Sequence, residues 1–560
     1  MNAYARRIPG FIVATCGAVL AMRGLHFLYH SLHWPLSICL DAVILRFESW
    51  SMLDGVWPWR DIVSINLPVT HYIHILGLWL FGTDDFAFRL MDASYILLIA
   101  LMTAAYLSRV SLLAAGLGAA LVLCLPHEAT PYGAFQREVL MLPLWLATLW
   151  WTEEVYARFQ ATDDPSTLKS HWTDPALPRT YILPGVLAVI TIAIKPTSAL
   201  LFLFFALALL AVAIRAGRLA WLIRGTAVAL LALAITIALV FAPLYVSDPG
   251  LPRAFLEGWL QQTRAYAAVT ETIAPLKLLG TLVTLNPSHW TLALNQPLHG
   301  PADTGHLTLL HLCVFGLWFI YALRKGRPWL LVLFALAALL QYLLQMRGFQ
   351  YHLYPLWYAF ALAAAVAISD ALNNRHEGAR RWIVIAAGVV LALSLVAQQN
   401  ASLRTYRGTG LYDPGHPERV PRFKVAERLE TMAGRIRAGR GEGYDPGLYL
   451  QTFEHATIAL GAAIPGNLKL ASRYPVDYIV WEESPFRAAA REDMLKDLRE
   501  HRPELVAYAA GHDPGQKARL ETWPELGAWL EASYVRREVI QEFNGDEYWI
   551  YVRVDLAPDL

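Results

Sequence analysis

Up to about residue 400 the chain is a succession of apolar runs interrupted by short polar stretches. Runs long enough to cross a ~30 Å hydrocarbon layer fall at 8–29, 86–108, 110–126, 139–157, 181–197, 198–214, 225–246, 307–323, 328–346, 353–369 and 382–398. The pattern predicts an α-helical polytopic membrane protein with about eleven transmembrane helices. The opening MNAYARRIPG and the run behind it resemble a secretion signal. They lack a small-residue cleavage site, and Arg23 and His26 lie late in the run, so they read as a retained first helix.

Two intervening segments are too long for turns. In 31–85, Leu36, Leu40, Ile44, Phe47 and Met52 recur at helical spacing and HYIHILGLWLFG follows, which predicts helices lying along the interface. The segment 247–306 is rich in Pro, His and Trp. Beyond 400 the character changes to a charged chain without a spanning run. YLQTF (449–453), VDYIVW (476–481), ELVAYA (504–509) and EYWIYVRV (547–554) read as strands. The stretches 422–440 and 491–501 read as helices. The expected organisation is a transmembrane domain over 1–399 and a soluble α/β domain over 400–560.

Composition agrees: 56% of the 560 residues are hydrophobic and 16% charged, too few charges to cover a soluble protein of this size. The net charge of +1 argues against a nucleic-acid footprint, which would need a concentrated basic patch. The four cysteines are scattered, with no disulfide or zinc spacing. Positive charge sets orientation. With alternating spans, Arg6, Arg7, Arg109, Arg158, Lys169, Arg179, Arg215, Arg218, Arg224, Arg324, Lys325, Arg327, Arg375, Arg380 and Arg381 gather on one side. This predicts a bacterial inner-membrane protein with its N-terminus cytoplasmic, and places 31–85, 247–306 and the C-terminal domain in the periplasm.

Polar residues near a bilayer are costly and mark candidate sites. Asp41, the stretch 126–138 with Glu128, Arg137 and Glu138, then Lys195-Pro196-Thr197, and RGFQYH at 347–352 with Arg347, Tyr351 and His352 all fall at the outer ends of helices. Singly they have plainer readings: Asp41 as a solvated face, Arg137–Glu138 as a headgroup-level ion pair, Lys195 as a snorkelling cation. His71 and His74 stand three apart, a spacing that suits a metal, but no third ligand is evident and no metal is assigned. Several cations facing one or two carboxylates fit an anionic leaving group such as phosphate and a general base acting on a hydroxyl. Together they describe sugar transfer from a lipid phosphate to an acceptor alcohol.

LDAVILRFESWSMLDGVWPWRDIVSINLPVTHYIH and then FGTDDFAFRL resemble the first outer loop of the GT-C class of polyprenyl-phosphate-sugar glycosyltransferases, among them the aminoarabinose, protein O-mannosyl and lipopolysaccharide galacturonosyl transferases. Gly55, Pro58, Trp59, Asp61, Pro68, Tyr72, Gly82 and Arg89 fill the motif places, and the likeness runs over about 30 to 360. The resemblance implies that Asp41 is the first-loop catalytic acid and that Asp61, with Arg60 beside it, shapes a turn. Ala42 follows Asp41 where the class often has a second acid, and Leu67-Pro68 replaces a Pro-Pro pair. Whether Glu138 or Glu128 shares the work, or a divalent metal is needed, stays open at this point. The expected reaction is an inverting transfer in which Asp41 is the base, Arg137, Lys195, Arg347, His352 and Tyr351 hold the departing phosphate, and Glu138 orients a cation. The acceptor would be a lipid, glycan or protein. A surface-polysaccharide polymerase or ligase, and a non-enzymatic lipid or solute transporter, are the alternatives. The second is disfavoured by the lack of inverted repeats and midplane charges.

Overall fold

The computed structural model describes residues 3–33, 41–124, 134–160, 176–269, 274–275, 329–346, 350–373, 382–389, 424–441, 444, 446–451, 460, 462–464, 466–475, 478–481, 484–510, 518–541 and 547–558. Its helices in chain order are α1 (Ala3–His33), α2 (Asp41–Leu53), α3 (Pro68–Phe81), α4 (Asp85–Leu107), α5 (Leu112–Cys124), α6 (Arg137–Gln160), α7 (Ala176–Ile192), α8 (Ala199–Arg215), α9 (Leu219–Ser247), α10 (Leu251–Val269), α11 (Trp329–Gln345) and α12 (Tyr354–Asn373). Then follow α13 (Lys424–Arg440), β1 (Gly447–Gln451), β2 (Lys469–Leu470), the short α14 (Tyr478–Trp481), α15 (Arg487–His501), β3 (Leu505–Ala509), α16 (Pro524–Ser533), β4 (Tyr534–Gln541) and β5 (Glu547–Arg553). The chain divides into two compact units: Met1–His30, Asp92–Pro243 and Thr272–Thr405 in the first, and Ser31–Met91, Leu244–Glu271 and Tyr406–Leu560 in the second.

The first unit is a helical bundle. Among the described residues, five helical stretches are long and apolar enough to cross a membrane: Gly10–Tyr29, Asp85–Leu107, Pro196–Arg215, Leu219–Ser247 and Tyr354–Asn373. Shorter apolar helices lie at Leu112–Cys124, Thr180–Ile192 and Trp329–Gln345. The expected span 307–323 lies outside the described residues, and only 382–389 of 382–398 lies within them, as helix. α12 packs against α5, α6 and α11, while α8 packs against α6 and α11. Without a hydrophobic force between helices in lipid, hydrogen bonds and close backbone approach hold such a bundle. Thr103 and Tyr358 share a hydrogen bond of 2.8 Å and Ser111 and Ser369 one of 2.6 Å. At Gly185 of α7 a side chain would run into the backbone carbonyl of Ala229 in α9, so only glycine permits that approach.

In the second unit α2 packs against α3, and the tail forms a five-stranded sheet in the order β2-β1-β3-β5-β4. β1 runs parallel to β2 and β3, and β5 runs antiparallel to β3 and β4. β3 is buried along its whole length, whereas β5 alternates, with Tyr548, Ile550 and Val552 turned inward. Helices α15 and α16 cover one core, where Trp481, Met494, Leu498, Val506, Trp523, Leu526 and Leu530 are buried together. The strands expected at 449–453, 504–509 and 547–554 are largely found. VDYIVW differs: Tyr478–Trp481 is a helical turn. Short apolar runs do not distinguish strand from helix by their period alone.

Candidate active site

Local sequence explains where the polar groups of the first unit stand. Lys195 precedes Pro196, whose ring bars the helical region to the residue before it. Lys195 therefore adopts φ −151°, ψ 116°, α7 stops, and a short 3-10 turn over Pro196–Ser198 leads into α8. At the start of α6, Phe135 takes φ 50° and its N–H donates to Asp92 Oδ1 at 2.9 Å, while Tyr95 Oη donates to the Leu140 carbonyl at 2.8 Å. These contacts fix the end of α6 that carries Arg137 and Glu138. Glu138 sits in the first turn, where the helix dipole favours a carboxylate.

Four elements then converge. Lys195 Nζ donates to Glu138 Oε1 and, at 2.5 Å, to Gln345 Oε1 at the end of α11. His352, in the 3-10 turn Gln350–Leu353 that opens α12, brings Nε2 to 3.4 Å from the same Glu138 oxygen. Glu138 is 0% exposed, Lys195 7% and His352 5%. Among the described residues, Glu138 Oε2 and the side-chain amide of the fully buried Gln341, one turn before Gln345, have no hydrogen-bond partner. Arg137 is half-buried at the first position of α6. About four helical turns further along α6, ~22 Å away, Glu153 and Glu154 meet Arg109 at 3.5 and 3.1 Å, and Tyr106 Oη donates to Glu153. The bundle thus has two polar ends with an apolar length between them.

The second unit holds the first-loop residues. Asp41 is the first residue of α2 and is half-buried. About two turns on, Glu48 is buried and its Oε2 accepts from Ser64 Oγ at 2.9 Å and Asn66 Nδ2 at 3.2 Å. His71 Nε2 stands 3.5 Å from that oxygen and its Nδ1 is 3.3 Å from Ser49 Oγ. The imidazole of His74 is buried, and desolvation, then His71 and Arg46, push it down to about 3. Burial likewise pushes the Arg46 guanidinium down to about 10, against the pull of Asp85 and Asp84. Arg46 Nη2 donates to the Asp84 carbonyl at 2.7 Å. Asp61 closes a turn: the Trp57 N–H donates to it at 2.8 Å and Arg60 binds it through Nε and Nη2. Arg60 Nη1 also donates to Asp248 Oδ2 at 2.9 Å.

Of the residues singled out in the sequence, the structure brings Glu138, Lys195 and His352 together. Asp41, Arg60 and Asp61 belong to the other unit. Arg347, Glu128 and the side chain of Tyr351 lie outside the described residues. Gln345, Gln341 and the Glu48–His71 pair are additions. Two glutamines one turn apart inside an apolar helix are a sequence signal of a polar face; Glu48 has no such signal, since its partners come from 64–71. Among the described residues, no three His, Cys, Asp or Glu side chains gather as a metal site requires.

No family model and no curated protein matches the sequence. Solved structures do. ArnT from Cupriavidus metallidurans in the apo state is 13% identical, with a TM-score of 0.51 over 96% of this chain and 98% of that one. The Archaeoglobus fulgidus oligosaccharyltransferase tethered with an acceptor peptide is 12% identical, with a TM-score of 0.50 over 96% of this chain and 74% of that one. Both are GT-C glycosyltransferases, and the membrane protein described here has the GT-C fold.

Proposed function

We propose that the chain transfers a sugar from a polyprenyl-phosphate-linked donor to a lipid, glycan or protein acceptor at the outer face of the bacterial inner membrane. The observation that carries the reading is the convergence of Lys195 and His352 on buried Glu138 at one end of the bundle. A cation held in low dielectric by a fixed carboxylate is a preorganised partner for charge developing on a departing phosphate. Lys195, His352, Arg137 and Arg347 would receive that phosphate, with Tyr351 beside them, and Glu138 would hold Lys195 in place. Asp41 would take the proton of the acceptor hydroxyl. The acceptor oxygen then bonds to the anomeric carbon from the face opposite the phosphate. The carbon–oxygen bond to the phosphate breaks, and polyprenyl phosphate leaves with the electron pair. In this reading the protein is multi-pass with a cytoplasmic N-terminus, residues 1–399 form the membrane domain, and the α/β part of 400–560 stands in the periplasm.

The test is Asp41→Asn in membranes supplied with a labelled polyprenyl-phosphate sugar. The expected fall in turnover is ~10²–10⁴-fold. Wild-type turnover in that variant would remove Asp41 from the reaction, and no label transfer by the parent chain from any such donor would remove the reading altogether. A parallel run with a chelator reports on metal dependence.

A further inference from the structure

The tail beyond residue 406 is interlocked with the first loop inside the second unit, through one residue above all. The Arg473 carbonyl accepts the Val63 N–H at 2.7 Å, and Arg473 Nη2 donates to the Arg60 carbonyl at 2.9 Å. The two bonds run in opposite directions between the same pair of segments, so they fix both separation and register. Arg473 is itself anchored in the tail: its N–H donates to Asp497 Oδ2 at 3.0 Å and its Nη1 stands 3.5 Å from Asp493 Oδ2. Tyr474 Oη donates to that Asp493 oxygen at 3.2 Å. Val63 packs against the tail's own core, the cluster of Tyr474, Trp481, Met494 and Trp523, which also takes in Ala265 of α10.

From the clamped turn a chain of hydrogen bonds leads to α2. The Ser64 N–H donates to Gln262 Oε1 at 2.6 Å and Trp259 Nε1 to the Ile65 carbonyl at 3.1 Å, so α10 braces the turn on another side. Trp59 Nε1 donates to the Asn66 carbonyl at 2.8 Å. Ser64 and Asn66 in turn both donate to buried Glu48, about two turns after Asp41 along one helix.

We infer that the tail is a clamp on the first loop, with Arg473 as a positioning residue. It holds the 57–66 turn, and that turn, through Glu48, sets where α2 presents Asp41. The catalytic half of the inference rests on the sugar-transfer reading above; the clamp itself does not. Small displacements of a base are expensive, since a misplacement of ~1 Å can cost about a hundredfold in rate.

The experiment uses the full chain in lipid nanodiscs, with Arg473→Ala and Arg473→Lys. Hydrogen exchange read by mass spectrometry is the first measurement. Arg473→Ala should raise exchange across 57–66, where the Asp61 amide donates to the Trp57 carbonyl and the Trp59 amide to that of Ile62, while α6 and α12 stay as in the parent. Exchange across 57–66 equal to the parent's would overturn the clamp. So would faster exchange everywhere, which marks unfolding rather than release of one loop. Turnover is the second measurement. We expect kcat to fall ~10–100-fold with KM for the donor within about twofold of the parent's, and partial recovery in Arg473→Lys, which keeps the charge toward Asp493. An unchanged kcat beside a loosened loop would overturn the link to Asp41. A parent chain without transferase activity would sink the functional reading and leave exchange to decide the clamp.

Discussion

Glu138 offers the sharpest test of how the bundle end is built. In Glu138→Gln the shape at the start of α6 is kept and the charge is removed. Lys195, 8% exposed in its side chain, retains Gln345 but loses its counter-charge, and His352 loses a carboxylate at 3.4 Å. Breaking one side of a buried pair costs ~3–5 kcal/mol, because the remaining charge is stranded away from water. Replacing both partners with neutral groups of similar volume is far cheaper. The expectation is therefore a loss near ~3 kcal/mol for Glu138→Gln or Lys195→Met alone, and a smaller loss for the two together. Unfolding in a denaturing detergent, followed by tryptophan fluorescence, reads all four proteins of the cycle. Costs that simply add, within ~0.5 kcal/mol, would refute the coupling on which the site is built. The proposed donor-binding role makes a separate claim: turnover should drop in both single variants and remain low in the double variant.

Two further outcomes are expected elsewhere. His74 is held neutral when folded, pushed down to about 3, whereas the unfolded chain takes up its proton near the ordinary ~6.5. The unfolded state thus binds more protons below ~6.5, and stability should fall as pH drops from there toward 3. His74→Phe should flatten that limb of the denaturation midpoint against pH, and an unaltered slope would assign it to other groups. Gly185→Val would place its Cβ inside van der Waals contact of the Ala229 carbonyl oxygen, so a loss of ~1–3 kcal/mol is expected in the same detergent unfolding; a variant as stable as the parent would show that α7 and α9 do not depend on close approach.

The sequence exposes the elements whose signal is local. Spans are read from uninterrupted apolar length, and Glu138, Lys195 and His352 stand out because charge in such a chain is rare. The residues that escape notice act through distant partners or broken periods. Glu48 is one polar position in a helix until Ser64, Asn66 and His71 close around it. β4 lacks the alternation that betrays a strand, because a bulge between Arg536 and Glu538 shifts its pairing on β5 and inserts a charged residue out of phase. α10 hides in a segment noticed for Pro, His and Trp, although its apolar positions Leu251, Phe255 and Ala265 turn toward buried surroundings.

The carboxylates singled out in the two units differ in burial and in the partners described for them. Asp61 accepts from Trp57 and from two nitrogens of Arg60, so its lone pairs serve the turn. Glu48 is 1% exposed and spanned by Ser64, Asn66 and His71. Glu138 is fully buried against Lys195. A general base must come within hydrogen-bond reach of the hydroxyl it deprotonates, which a fully enclosed carboxylate does not do without displacement of its own partners. Asp41 is half-exposed at the mouth of a helix. In the proposed mechanism Asp41 is the base and the buried acids are struts, Glu138 beside Lys195 and Glu48 under the helix that carries Asp41. The proposed mechanism makes a distinction kinetics can see: loss of a strut should be partly rescued by a conservative replacement that keeps the hydrogen bonds, whereas Asp41→Asn keeps the shape of the side chain and should forfeit the proposed proton transfer.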